Sequence, residues 1–218
     1  MIKGIIFDFD GLIIDTEVII YETLNGIFKD FGSELPVKKW QKQIGTHNDF
    51  SPFAYLEERT GLVLNHKSLE TRLNHELYSK LSLEKARPGV EEYLNTAKKL
   101  GMKIGLASSS SYDWVSKYLK NMNLLQYFDC IKTSDNVKVV KPDPALYILT
   151  VKCLQLKRNE CLVFEDSANG ALAAKRAGVK CVIVPNQITK NLNFCDVDYR
   201  MESMTDKDLE QILKLIDK

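Results

Sequence analysis

The sequence predicts an α/β fold, a three-layer, doubly wound parallel sheet, with a helical module inserted after the first strand. Three observations predict it. From Arg87 onward, short apolar runs alternate with segments of helical period, the rhythm of strands joined by crossover helices. The runs are near-continuous in apolar residues, as in strands buried on both faces. Residues 16–83 contain no such run and read instead as successive amphipathic helices.

The chain's 218 residues suffice for one sizeable core with a small inserted module. Lys+Arg and Asp+Glu nearly cancel, at 30 and 29, which argues against a nucleic-acid-binding or membrane-binding face. No apolar run reaches the length of a membrane span, and Asp8 and Asp10 interrupt what would be a secretory leader. The expectation is a cytoplasmic protein without nucleic-acid or membrane partners. Oligomeric state is open, a monomer being compatible with the sequence. The five cysteines, at 130, 153, 161, 181 and 195, contain no C-x-x-C spacing. They are expected to be free thiols in a reducing compartment, not disulfides or zinc ligands.

The first strand is Ile5-Ile6-Phe7, ending in Asp8-Phe9-Asp10-Gly11. Residues two apart in extended chain point the same way, so Asp8 and Asp10 can reach one small volume. Gly11 permits a sharp turn or a close backbone approach. Ile20, Leu24, Ile27, Phe28 and Phe31 then recur at helical spacing before Gly32. A short piece spans residues 36–44, followed by the polar loop Gly45-Thr46-His47-Asn48-Asp49. A third helix opens with Phe53 and Leu56 and ends near Gly61; Leu69, Leu73, Leu77 and Leu81 mark a fourth.

Pro88 suits the first turn of the next helix, whose apolar face is Val90, Tyr93, Leu94, Ala97 and Leu100. Strands are expected at 103–107, 128–132, 161–164 and 180–184, and helices around Trp114, around Leu149 and from Ala168 to Ala177. Ser110 or Ser111 is expected to cap the Trp114 helix. Thr205 with Asp208 resembles a capping box for the last helix.

In an open parallel sheet, ligands bind outside the carboxyl ends of the strands. Here those ends carry Asp8 and Asp10, Ser108 and Ser109, and Glu165 and Asp166, with Lys141 in a nearby loop. Each alone has an ordinary reading as turn former, helix cap or solvated lysine. Together, at one sheet edge, they are not well explained by those ordinary readings and mark a candidate ligand site.

The stretches FDFDGLIIDTE, LASSS, VKPDP and FEDSANGALAAKRAG make the chain similar, nearly end to end, to the haloacid dehalogenase superfamily and within it to the β-phosphoglucomutase-like phosphatases. The resemblance implies a Rossmann-like core at 1–15 and 84–218 and a helical cap at 16–83, hinged near Asp15-Thr16 and residues 83–87. It implies Asp8 as the nucleophile forming an aspartyl-phosphate and Asp10 as general acid and then base. Ser108 and Lys141, with backbone N–H groups near Gly11 and Ser109, would hold the phosphoryl oxygens. Mg²⁺ would be bound by Asp8, the Asp10 carbonyl and Asp166, with Glu165 as a further ligand or behind one. The cap loop Gly45, Thr46, His47 and Asn48 would face a small phosphorylated substrate.

Rival readings are separated by single residues. Dehalogenases of the family lack the second aspartate. Phosphonatases use a cap lysine, absent from the loop GTHND. Sugar phosphomutases carry a cap histidine and arginine, at positions that here align with Ile20 and Asn48. A non-enzymatic phospho-acceptor of the receiver kind would lack both Asp10 and a cap. Hydrolysis of a small phosphomonoester fits best, with mutase activity as the alternative.

Overall fold

The computed structural model describes residues 1–46 and 50–217. Its strands are β1 (Gly4–Phe7), β2 (Lys103–Ala107), β3 (Cys130–Lys132), β4 (Cys161–Glu165), β5 (Lys180–Ile183) and β6 (Tyr199–Arg200). They form one parallel sheet in the order β3-β2-β1-β4-β5-β6. β1 is therefore central, and the winding reverses between β1 and β4, where doubly wound sheets open a crevice at their carboxyl ends. The register aligns Phe7 with Leu106 of β2 and with Phe164 of β4. The residues after each strand consequently emerge side by side.

Alternate strand residues feed two separate cores, as the two-residue period requires. Ile5, Phe7, Ile104, Leu106 and Phe164 join one cluster, and Ile6, Val163, Cys181 and Ile183 the other. The first is covered by α5 (Val90–Lys99), α6 (Tyr112–Asn121) and α9 (Leu209–Ile216); the second by α7 (Ala145–Cys153) and α8 (Ala168–Ala177). This is the expected three-layer arrangement.

Between β1 and α5 run α1 (Thr16–Asp30), α2 (Val37–Trp40), α3 (Pro52–Thr60) and α4 (His66–Leu81). Leu24, Ile27, Phe28, Phe53, Leu56 and Leu69 form a third cluster of their own. Leu77 and Leu81 at the end of α4 join the main core instead. No helix among the described residues is long and apolar enough to cross a membrane.

Several local expectations are corrected. The piece at 36–44 is only one turn of α-helix, continued by a 3₁₀ turn at Gln41–Gln43. Pro88 lies outside α5, because Gly89 at φ 89° is its N-cap, packed against Met204 too closely for a side chain. β3 is shorter than residues 128–132, since a 3₁₀ turn at Leu125–Tyr127 delays it. α9 is capped by Asp208, whose carboxylate accepts from Gln211 N while Gln211 returns a bond to Asp208 N; Thr205 is not the cap. β6 was not expected, because a two-residue strand has no period to read.

The cysteine expectation is corrected in one pair. Cys130 on β3 and Cys153 at the end of α7 form a disulfide, with Cα atoms 6.2 Å apart. Packing of α7 on β3 brings them together across 23 residues, which spacing along the chain does not reveal. Cys161 and Cys181 are buried free thiols as expected, and Cys195 is half-buried.

Candidate active site

Asp8 follows β1 directly, and its backbone N–H donates to Phe164 O, so it stands against the end of β4. The β1 exit then turns tightly: Gly11 has φ 80° and donates its N–H to Ile14 O. A side chain at Gly11 would collide with Asp166 Oδ2 and Asn186 Nδ2, so the glycine lets backbone and carboxylate approach. Arg87 fastens this turn from below, donating to the carbonyls of Gly11, Val184 and Pro185.

Lys141 is fully buried and ion-pairs with Asp8 and, at 2.7 Å, with Glu165 Oε1. Tyr147 Oη donates to the same Glu165 oxygen at 2.7 Å, and Glu165 Oε2 accepts from Asp166 N, Ser167 N and Ser167 Oγ. Both oxygens of Glu165 are thus engaged by this chain's own groups. Asp166 differs: Oδ2 accepts from Asn186 Nδ2 at 2.8 Å, while Oδ1 is buried with no hydrogen-bond partner. Buried polar atoms are rarely left so.

Asp8, Glu165 and Asp166 bring ligand atoms within 4.8 Å of one another. Three carboxylates against one lysine leave a deficit of two positive charges. Burial, followed by the negative charge of Glu165, pushes the Asp8 carboxyl up to about 8 against the pull of Lys141. The same two causes hold Asp166 well above the usual carboxylate range. Lys141 remains a cation, its own pKa raised by the charges of Asp8 and Glu165 against the opposing effect of burial. An all-oxygen donor set short of two charges, with one orphaned carboxylate oxygen, fits a hard divalent cation.

Asp10 faces a cavity of about 120 Å³ that Asp8, Glu17, Gln43 and Ser108 also line. Its Oδ1 accepts from Thr16 Oγ1 at 2.9 Å and Trp114 Nε1 at 2.8 Å; its Oδ2 accepts from Ser110 Oγ at 2.6 Å and Ser108 Oγ at 3.4 Å. Larger hollows, of about 270 and 380 Å³, lie elsewhere and contain none of the acidic cluster. Size does not mark this site; chemistry does.

The loop after α2 closes one side of the cavity. Gly45 O accepts from Ser109 Oγ at 3.0 Å, Ile44 O accepts from Asn169 Nδ2 at 2.8 Å, and Thr46 lines the cavity. His47 and Asn48 lie outside the described residues. Gln41 Nε2 donates to Ile188 O at 2.7 Å, a further tie between helical segment and sheet domain.

The sequence-derived residues Asp8, Asp10, Gly11, Ser108, Ser109, Lys141, Glu165 and Asp166 thus gather at one sheet edge. Ser111, not Ser110, caps α6, which frees Ser110 for Asp10. Sequence reasoning missed Glu17, Trp114, Tyr147 and Asn186. Asn186 follows β5 after Pro185 and was findable by the strand-end rule. Glu17 is 9% exposed, and burial, with the charges of Asp10, Asp8 and Asp15, pushes it up to about 8. Helical period sets Glu17 in line with Ile20, Leu24, Phe28 and Phe31, three, seven, eleven and fourteen residues on, so its burial was legible in the sequence and was overlooked.

Residues 5–184 match the haloacid dehalogenase-like hydrolase family. The chain belongs to that family. Within these hydrolases it falls in the β-phosphoglucomutase-like branch. It is 56% identical over 98% of its length, and 97% of the relative's, to YhcW of Bacillus subtilis, a protein provisionally named a phosphatase. It is 30% identical, over 82% of each chain, to the phosphorylated carbohydrates phosphatase of Thermotoga maritima. A Thermotoga maritima structure provisionally assigned as a β-phosphoglucomutase superposes with a TM-score of 0.78 at 27% identity, covering 98% of this chain and 99% of the other. As a haloacid dehalogenase-like hydrolase, this protein is an enzyme.

Proposed function

We propose that this hydrolase is a Mg²⁺-dependent phosphatase acting on a small phosphomonoester of the sugar-phosphate class. The observation that carries the reading is the buried group of Asp8, Lys141, Glu165 and Asp166 beside Asp10. A phosphoryl group is anionic, so a carboxylate nucleophile needs positive charge around it. Lys141 supplies one such charge. Asp8, Asp166 and the Asp10 carbonyl would hold Mg²⁺, which supplies charge neutralisation for the phosphoryl oxygens. Glu165, with both oxygens engaged, orients Lys141 and the Asp166 backbone.

Asp8 attacks phosphorus through a carboxylate oxygen. The bond from phosphorus to the substrate oxygen breaks, its electron pair leaves on that oxygen, and Asp10 protonates it. Asp10 then takes a proton from water, whose oxygen attacks phosphorus and releases Asp8 and inorganic phosphate. Ser108 and the backbone N–H groups near Gly11 and Ser109 hold the phosphoryl oxygens. Splitting the displacement in two is the gain of covalent catalysis. Residues 16–83 act as a cap over a core formed by 1–15 and 84–218, with the Gly45 loop excluding water.

Hydrolysis is favoured over the mutase reading because Ile20, at the position of the mutase histidine, lines the cavity with an apolar side chain. The sugar-phosphate class draws on the named activity of the Thermotoga phosphatase. The test is phosphate release from a panel of sugar phosphates and an aryl phosphate, with Mg²⁺ and with chelator. Release that requires Mg²⁺ and vanishes in Asp8→Asn is expected. No release from any phosphomonoester overturns the reading, and interconversion of hexose 1- and 6-phosphates replaces it with the mutase.

A further inference from the structure

Asp10 accepts from four donors, none of them a cation: two on Oδ1 and two on Oδ2. Three are hydroxyls, from Thr16, Ser108 and Ser110. A hydroxyl can rotate and either donate or accept. The fourth, Trp114 Nε1 at 2.8 Å from Oδ1, is an indole N–H, which only donates.

The indole is itself well fixed. Trp114 sits in the first turn of α6, where Ser111 Oγ accepts from its backbone N–H at 3.4 Å. Asp135 anchors the same turn by accepting from Tyr112 N at 2.7 Å. The Trp114 ring packs edge-on against Tyr118, with centroids 4.8 Å apart. A tryptophan serving only to fill space needs no polar partner for its N–H in a half-exposed position. Here that N–H reaches across to the residue two beyond the expected nucleophile.

We propose that Trp114 is the positioning residue for Asp10. The inference rests on the general acid and base role given to Asp10 above. The fixed indole donor keeps Oδ1 an acceptor and turns Oδ2 toward Ser108, on the side where the phosphoryl group is expected. Oδ2 is then the oxygen that delivers the proton to the leaving group and later collects one from water. Trp114 acts through Asp10 and touches no reacting atom.

The role makes a prediction that packing alone does not. A poor leaving group, the alkoxide of a sugar or polyol phosphate, depends on protonation by Asp10. A good one, the nitrophenolate of 4-nitrophenyl phosphate, depends on it little. General acid–base catalysis contributes about 10²–10⁴-fold, so misplacing the acid costs part of that in the transfer to Asp8 for alkyl substrates only, while its later work as base is common to both substrates. Trp114→Phe keeps the ring against Tyr118 and removes the N–H. The experiment measures kcat and KM for an alkyl phosphate taken from the active panel and for 4-nitrophenyl phosphate, in wild type, Trp114→Phe, Trp114→His and Asp10→Asn. Both substrates are read on the same preparation, so any misfolded fraction cancels from the alkyl-to-aryl ratio of kcat/KM, which reports the transfer to Asp8 and not the shared hydrolysis that follows.

The expected result is a ratio lowered by about 10-fold or more in Trp114→Phe, with KM unchanged. Asp10→Asn lowers it further, and Trp114→His, which restores a ring N–H, recovers it in part. A ratio unchanged in Trp114→Phe but lowered in Asp10→Asn overturns the positioning role and leaves the general acid standing. A ratio unchanged even in Asp10→Asn overturns the general-acid assignment, and the inference with it.

Discussion

Glu165 lays its carboxylate where a side chain on Gly170 would stand: a Cβ at Gly170 would overlap both Oε1 and Oε2. Gly170 lies inside α8, where glycine is a poor helix former. Its backbone N–H bonds Ser167 Oγ, which in turn donates to Glu165 Oε2. The helix gives up intrinsic stability so that the carboxylate holding Lys141 can lie flat against it.

Gly170→Ala is therefore expected to destabilise the protein. Helix propensity alone predicts a gain of about 1 kcal/mol, whereas overpacking a filled site costs about 1–3 kcal/mol. The cost also includes a displaced Lys141–Glu165 pair. Urea unfolding checks the sign; an Ala variant more stable than wild type would show that Glu165 relaxes freely.

Asp166→Asn addresses the orphaned Oδ1. Mg²⁺ is expected to raise the melting temperature of the wild-type protein, by mass action worth about 2.7 kcal/mol at a hundredfold excess over Kd. The variant is expected to lose that rise, because an amide brings neither the charge nor the free carboxylate oxygen to a cation. Differential scanning fluorimetry with and without Mg²⁺ reads both effects. An equal Mg²⁺ shift in the two proteins would count against Asp166 as a ligand.

Glu17 predicts a pH dependence of stability. Its folded-state pKa is raised to about 8 from the ordinary 4.5. The unfolded chain therefore loses its proton first, and between about 4.5 and 8 rising pH weakens the fold through this group. Glu17→Gln removes that penalty. Relative to wild type it should gain about 1–3 kcal/mol at pH 8 and progressively less as the pH approaches 4.5. Denaturant midpoints at pH 5, 6.5 and 8 provide the measurement, and a gain independent of pH would refute the account.

The sequence by itself determined the layered α/β fold and which polar residues stand at the carboxyl edge of its sheet. Apolar runs at 5–7, 103–107 and 161–164, alternating with segments of helical period, read as buried strands, and the polar side chains at their ends face a common crevice once the strands lie parallel. Caps with short-range chemistry were also legible, as at Ser111 and at Gly61, where α3 ends in the left-handed conformation. What lay beyond reach depends on partners distant in sequence. Trp114 reaches Asp10 across 104 residues and Asn186 reaches Asp166 across 20. Cys130 meets Cys153 only because α7 folds back on β3. Periodicity reports which face of an element is buried, not which side chain of another element it meets. Only the tertiary structure decided that both oxygens of Glu165 are engaged, one of them by Lys141, that Asp166 keeps an oxygen without a hydrogen bond, and that an indole N–H donates to Asp10.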